Sequence, residues 1–274
     1  MRIEKHLQDQ LAQKYALGTK EKGKILEQLA TGKRINRASD DAAGIAVARE
    51  FDKQVRAYRN AAENIQAGLS ALNIADGGAS TLGEMLQRQQ ELAIQAANGA
   101  YNPDQRQALD REFQSLSQEI DRISKSTDFN GQPLLDGTGK LADGTGKIQA
   151  GDGVEDAVTL SAADLTLNSL NLASETLDSP EAALRALGSL DSAMKRVNDL
   201  RAQGGATSNR LDSAFSNARN QEVNSTRALS GIEELDYAQG LTDKVRNDIL
   251  QNSQEAAMNQ FNRISRSQLL ALLQ

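Results

Sequence analysis

Few residues in this 274-residue chain have the type and spacing to do chemistry. The one histidine, His6, lies on an amphipathic terminal segment, and no Ser-His-Asp set can be assembled from residues placed near one another. There is no cysteine, so thiolate chemistry and disulfides are both excluded. Asp-Gly-Thr-Gly-Lys occurs twice, at 136–140 and 143–147, and has the composition of a loop whose backbone amides cradle a phosphate. The spacing is wrong for phosphate binding, because G-x-x-x-x-G-K-S/T is absent and neither copy leads into a helical pattern. The aspartates of this region also miss the spacing of an EF-hand loop. The basic run that follows Gly32, with Lys33, Arg34 and Arg37, fits a solvated connector or a contact with acidic neighbours better than a nucleic-acid site. Asn224-Ser225-Thr226 has the N-glycosylation pattern but falls inside a helical stretch. The remaining carboxylates are spread along solvated faces. The chain reads as a non-enzyme that needs no cofactor and no metal.

The elements that carry these residues are long helices. From Ser39 to Asn98, the positions Ala48, Phe51, Val55, Tyr58, Ala62, Ile65, Leu69 and Leu72 alternate spacings of three and four, the mark of a seam buried against another helix. The seam resumes through Leu82, Leu86, Ala93 and Ala96, and Asp76-Gly77-Gly78 offers a point where the helix can bend. Ser39 is the expected N-cap, with Asp40 and Asp41 in the first turn. About 60 residues at roughly 1.5 Å each make a rod on the order of 90 Å long, which needs partners along its length. After Gly99 a second helix starts at Asn102-Pro103 and folds back through Leu109, Phe113, Leu116, Ile120 and Ile123.

From Asp128 the period changes. Glycine, aspartate and threonine dominate, and Lys147–Ala150 and Val154–Leu160 alternate around Gly151-Asp152-Gly153, which predicts a β-hairpin. Ser179-Pro180-Glu181 then opens a further long helix, with Leu187, Leu190, Met194, Val197, Leu211, Phe215, Ala218, Leu229 and Ile232 at three-four spacing. Both ends of the chain are amphipathic helix formers without a private core. The first carries Ile3, Leu7, Leu11, Ile25 and Leu29; the last carries Val245, Ile249, Phe261, Ile264, Leu269 and Leu273.

Composition agrees with a helical assembly protein. Aromatic residues are 3 % and tryptophan is absent, so seams are packed with alanine and leucine. A net charge of −6 and a pI near 5.1 leave no electrostatic footprint for nucleic acid. No apolar run approaches the roughly 20 residues of a membrane span, so no membrane insertion is expected. The first 24 residues lack the apolar block and cleavage site of a secretory signal. The expected class is mainly α: a long antiparallel helical rod or coiled-coil bundle with a small β-hairpin region.

Five stretches, in order, resemble bacterial flagellin. They are LATGKRINRASDDAAGIAVA at 29–48, LQRQQELAIQAAN at 86–98, EIDRISKSTDFNGQPLL at 119–135, KIQAGDG at 147–153 and IEELDYAQGLTDKVRNDIL at 232–250. The resemblance implies a discontinuous terminal domain, 1–32 with 240–274, whose helices form a filament core. It also implies a rod-like domain, 33–239, with its β-hairpin region at about 128–178. Flagellins often insert large variable domains after the hairpin; here only 161–178 separates it from the C-terminal rod, so a minimal subunit is expected.

The function so implied is that of a structural subunit exported unfolded through the flagellar channel, without a cleaved signal, and polymerised at the tip into the extracellular filament. Implied partners are further copies of the chain, the export apparatus, an export chaperone, the filament cap and the hook-filament junction proteins. Toll-like receptor 5 is implied through Gln87, Arg88, Leu92 and Glu112, although Gln89 and Gln90 depart from the family pattern there. Two other readings compete. A hook-filament junction protein shares the terminal helices and the export route. A cytosolic coiled-coil adaptor would account for the heptads alone and predicts a stable soluble dimer.

Overall fold

The computed structural model describes residues 2–139, 146–153, 155–160 and 164–271, apart from the side chains of 2–5, 7, 8, 262 and 264–271. Among these residues the order of elements is α1 (Arg2–Thr31), α2 (Ala42–Ala97), α3 (Pro103–Ser126), β1 (Asp128–Phe129), β2 (Gln132–Pro133), β3 (Lys147–Gln149), β4 (Ala157–Thr159), α4 (Pro180–Glu233) and α5 (Tyr237–Ala271). The class is mainly α with a small antiparallel hairpin region, as the periodicity predicts. The chain divides into two compact units, Met1–Lys53 with Asn224–Gln274, and Gln54–Val223.

In the unit Gln54–Val223, α2 and α4 run antiparallel. Arg59 Nε lies 3.1 Å from Glu222 Oε1, and Arg201 Nε lies 2.8 Å from Asp76 Oδ1, so position numbers fall along α4 as they rise along α2. The seam of α4 is richer in small residues than the sequence suggests. Ala183, Ala186, Leu190, Ala193, Val197 and Leu200 are buried, while Leu187 and Met194 pack only partly at its edge. Alanine at these positions lets the backbones approach, and the larger flanking side chains close the sides.

Gly77 and Gly78 do not end or interrupt α2. Gly78 serves close approach instead: a Cβ there would come within 2.8 Å of Leu135 Cδ1 and 3.0 Å of Thr127 Oγ1. The start of α2 differs from the expectation too. Its N-cap is Asp41, whose Oδ1 accepts from Gly44 N at 2.8 Å, and not Ser39. Asp40 is turned the other way, accepting from the amides of Asn36 (3.2 Å) and Arg37 (3.0 Å). The turn at 37–40, closed by Asp40 N donating to Arg37 O at 2.8 Å, puts Ser39 ahead of the helix start and Asp41 at it, where a negative charge suits the exposed amides.

Helix α3 starts where the sequence predicts. Asn102 accepts from Gln105 N at 2.8 Å and Gln105 Oε1 accepts from Asn102 N at 3.0 Å, a complete capping box ahead of Pro103. It buries Phe113, Ser117, Ile120 and Ser124. Below it, Asn130 and Gly131 take φ of 53° and 72° in the two-residue turn that joins β1 to β2. That hairpin is legible in the Asn-Gly pair, because only such residues enter this left-handed turn cheaply. The second hairpin matches its expectation, with Lys147 opposite Thr159, Ile148 opposite Val158 and Gln149 opposite Ala157. Ile148 and Val158 pack with Ile65, Leu211 and Ala218, seating the hairpin on α2 and α4.

Residues 164–178, read from sequence only as a connection, form part of the core. Leu165, Leu170, Leu172 and Leu177 are all fully buried with Leu135, Phe113 and Leu86. Leu165 N donates to Leu135 O at 2.8 Å, Leu177 N to Asp110 Oδ1 at 2.8 Å, and Gln114 Nε2 to Glu175 O at 2.9 Å. Burying each leucine contributes about 1.5–3 kcal/mol, enough to hold a segment that has no regular hydrogen-bond ladder of its own.

Candidate assembly interface

The unit Met1–Lys53 with Asn224–Gln274 is built from the two ends of the chain. Helices α1 and α5 pair antiparallel: an added Cβ on Gly18 would touch Gln251 and Gln254, Lys22 meets Asp248, and Leu29 lies beside Gly240. The pair is anchored at its base by the connector after α1. Gly32, at φ 71°, accepts at its carbonyl from Leu235 N at 2.9 Å, and Arg34 N donates to Glu233 O at 2.7 Å. The three basic residues of this connector do meet acidic neighbours or carbonyls. Lys33 lies 3.1 Å from Glu233, Arg37 lies 3.1 Å from Glu27, and Arg34 donates to Ile232 O at 2.7 Å.

The face of α5 turned to α1 is polar from Lys244 to Gln254. Gly240, Lys244, Asn247, Gln251, Gln254, Met258 and Phe261 repeat at four and three and are, with Asp243 and Asp248, the less exposed positions of the helix among its described side chains. Asp248 beside this seam accepts from Lys22 at 2.7 Å and Lys244 at 2.8 Å. These two contacts, Lys22 first, hold its carboxyl below the usual range. Asp40 is held low in the same way, by Lys24 first and then by the amides of Arg37 and Asn36. Gln251 Nε2 adds a 3.4 Å contact to Thr19 Oγ1.

The apolar face of α5 points elsewhere. Val245 is 54 % and Ile249 63 % exposed, and Leu241 and Leu250 are uncovered beside them; Leu17 and Leu26 are uncovered on α1. The residues expected to build a polymerisation core therefore fall into two groups. Leu11, Ile25, Leu29 and Phe261 are half-buried, whereas Val245 and Ile249 face away from the pair. Ile3, Leu7, Ile264 and Leu269 lie in helices whose side chains are outside the described residues, as is Leu273 altogether. Sequence reasoning missed the polar seam because it sought only apolar heptads; the run from Gly240 to Phe261 was its signal.

Arg88 pairs with Glu112 at 2.7 Å and Glu91 at 2.9 Å, and Gln87 is exposed. Leu92 is 1 % exposed and packs inside the core, so it does not share the exposed surface of Gln87, Arg88 and Glu112. Gln89 is buried and donates to Phe113 O at 3.1 Å and Ser117 Oγ at 2.8 Å. The sequon at Asn224 lies within α4 and its Ser225 is buried, which leaves no exposed loop for a glycan. In the first Asp-Gly-Thr-Gly-Lys copy, Asp136 accepts from Thr138 N at 2.9 Å and closes its own turn. Most of the second copy lies outside the described residues. His6 is exposed, in contact only with Gln10 at 3.1 Å among the described residues. No described helix is long and apolar enough to cross a membrane.

This is an α-helical protein whose chain ends pair through a polar seam and keep an apolar face uncovered, the arrangement of an assembly subunit. The family model for the bacterial flagellin N-terminal helical region matches residues 6–140, and that for the C-terminal helical region matches 187–273. Flagellin of Halalkalibacterium halodurans is 34 % identical over 87 % of each chain. The flagellar filament 33 kDa core protein of Treponema phagedenis is 35 % identical over 91 % of each. The crystal structure of Bacillus cereus flagellin, 36 % identical, superposes with a TM-score of 0.51 over 57 % of this chain and 88 % of that one. The chain belongs to the bacterial flagellin family, a family of structural and not enzymatic proteins, and it is a structural subunit of the flagellar filament.

Proposed function

We propose that the chain polymerises through α1 and α5, whose uncovered apolar face packs against the same helices of neighbouring copies. The single observation that carries this reading is the outward display of Leu241, Val245, Ile249 and Leu250 on a helix whose polar side is already engaged. An apolar stripe of this size on a terminal helix marks an interaction surface. Contact between different patches of identical subunits repeats into an open helical assembly rather than closing.

Before assembly, the described part of the α1/α5 pair is held by the polar contacts of Lys22 with Asp248 and Thr19 with Gln251 and by apolar side chains that are only half-buried, Leu11, Ile25, Leu29 and Phe261. Such helices are cheap to unfold, which suits passage through a narrow export channel, with order regained when a neighbour covers the stripe. Export without a cleaved signal, an export chaperone received by α5, and the cap and hook-filament junction proteins as neighbours all belong to this reading. So does the terminal assembly domain of 1–32 with 240–274. The test is to add short filament seeds to purified monomer and follow light scattering and electron micrographs. Smooth filament growth is expected; a persistent soluble dimer would put the coiled-coil adaptor in its place, and growth only on hook fragments the junction protein.

Recognition by Toll-like receptor 5 is a second part of the proposal and rests on the exposed group Gln87, Arg88 and Glu112. Replacing Arg88 by alanine should abolish receptor signalling with little effect on stability, because an exposed ion pair contributes about 0–1 kcal/mol. Undiminished signalling by the variant would remove this partner.

A further inference from the structure

Between α1 and α5 lies a groove of about 390 Å³, walled by Glu21 and Lys24 on one side and by Asp243 and Arg246 on the other. Asn247 lines it. This side chain is only 7 % exposed, and its Oδ1 is shut off from water and meets no donor. One heptad further along the same seam, Gln254 Oε1 is in the same condition. A buried amide oxygen with no partner destabilises the fold that contains it, and buried polar groups are otherwise almost always satisfied. Two amide oxygens of the α1/α5 seam thus have no donor within the pair.

We propose that Asn247 is a register-setting acceptor for a second copy of this chain. The groove receives an amide or guanidinium side chain from a terminal helix of the neighbour, which donates to Oδ1. A turn about the last torsion of Asn247, which is soft in an amide side chain, brings that oxygen to the groove. The inference rests on the assembly reading above and adds to it a specific polar contact.

Three observations select another copy as the occupant. The groove is continuous with the uncovered apolar stripe, because Leu250, 51 % exposed, belongs to both. Its two acidic and two basic residues balance, so it carries no field that would select a strongly charged partner. Suitable donors are present on the chain itself, since Asn259, Gln260 and Arg263 are exposed on the distal half of α5.

The experiment compares wild type, Asn247→Leu and Asn247→Asp in seeded growth, with subunit spacing measured by electron microscopy and hydrogen exchange measured on each monomer. Leucine removes the unpaired amide oxygen from the seam, so the N247L monomer should show slower exchange in α1 and α5. Its critical concentration should nevertheless rise about tenfold, the equivalent of one net hydrogen bond, or its subunit spacing should change. N247D keeps an acceptor and should grow within about threefold of wild type. Growth of N247L at the wild-type concentration and spacing, or an N247D defect equal to that of N247L, would overturn the inference and leave the assembly reading standing. Failure of the wild type to extend seeds would remove both.

Discussion

Lys22 Nζ lies 2.7 Å from Asp248 Oδ1, joining the first helix of the chain to the last. Lys244 reaches the other oxygen of the same carboxylate at 2.8 Å, and both contacts depress the Asp248 pKa. Asp40, beneath Lys24, is shifted in the same direction.

A group whose pKa is lowered on folding contributes stability that is present above its unfolded value, about 3.9 for aspartate. That contribution is lost as pH falls through the folded value. The α1/α5 pairing should therefore hold at neutral pH and loosen below about pH 4, seen as lost helical signal and faster exchange in the terminal helices. Asp248→Asn should weaken the pairing at pH 7 and flatten this acid dependence. An unchanged acid profile in D248N would show that other carboxylates govern it.

A substitution at Ile249, 63 % exposed, tests assembly apart from folding. Ile249→Ser should leave the monomer's unfolding transition within about 0.5 kcal/mol of wild type, because the side chain is already in water. Covering an aliphatic side chain contributes about 1.5–3 kcal/mol, so the critical concentration for growth should rise by about tenfold to a hundredfold. A variant that assembles normally would place the interface elsewhere.

Adjacent glycines in α2 should respond oppositely. Nothing lies within 4 Å of a Cβ added to Gly77, and Gly77→Ala should stabilise by up to about 1 kcal/mol through helix propensity. At Gly78 the new methyl meets Leu135 and Thr127, and overpacking of this kind costs about 1–3 kcal/mol. Gly78→Ala should consequently lower the unfolding midpoint while Gly77→Ala raises it. Thermal melts followed by circular dichroism read both.

Leu177→Ala tests whether 164–178 is core or connection. Truncating a fully buried leucine costs about 2–5 kcal/mol, and the loss should appear as a lower midpoint for Gln54–Val223. A change below about 0.5 kcal/mol, the range of an ordinary surface substitution, would mean that the segment is only a linker.

The helices are legible in the residues alone, because periodicity, caps and prolines act over a few positions: Asn102-Pro103, Ser179-Pro180 and the three-four seam of α2 are each local signals. The hairpin around Gly151-Asp152-Gly153 is legible there too, as is the family, through five ordered motifs. What a helical face meets depends on how the distant elements pack. Alanines form the α4 seam in place of the larger residues beside them, since the approach of two backbones favours the smallest side chain. Leu165, Leu170, Leu172 and Leu177 carry no period, so their burial became visible only where α3, α4 and the β1–β2 hairpin enclose them. On α5, a polar and an apolar heptad share one helix, and periodicity does not say which faces the partner. In the single chain Lys22 and Thr19 draw the polar face to α1, and that choice leaves Val245 and Ile249 uncovered.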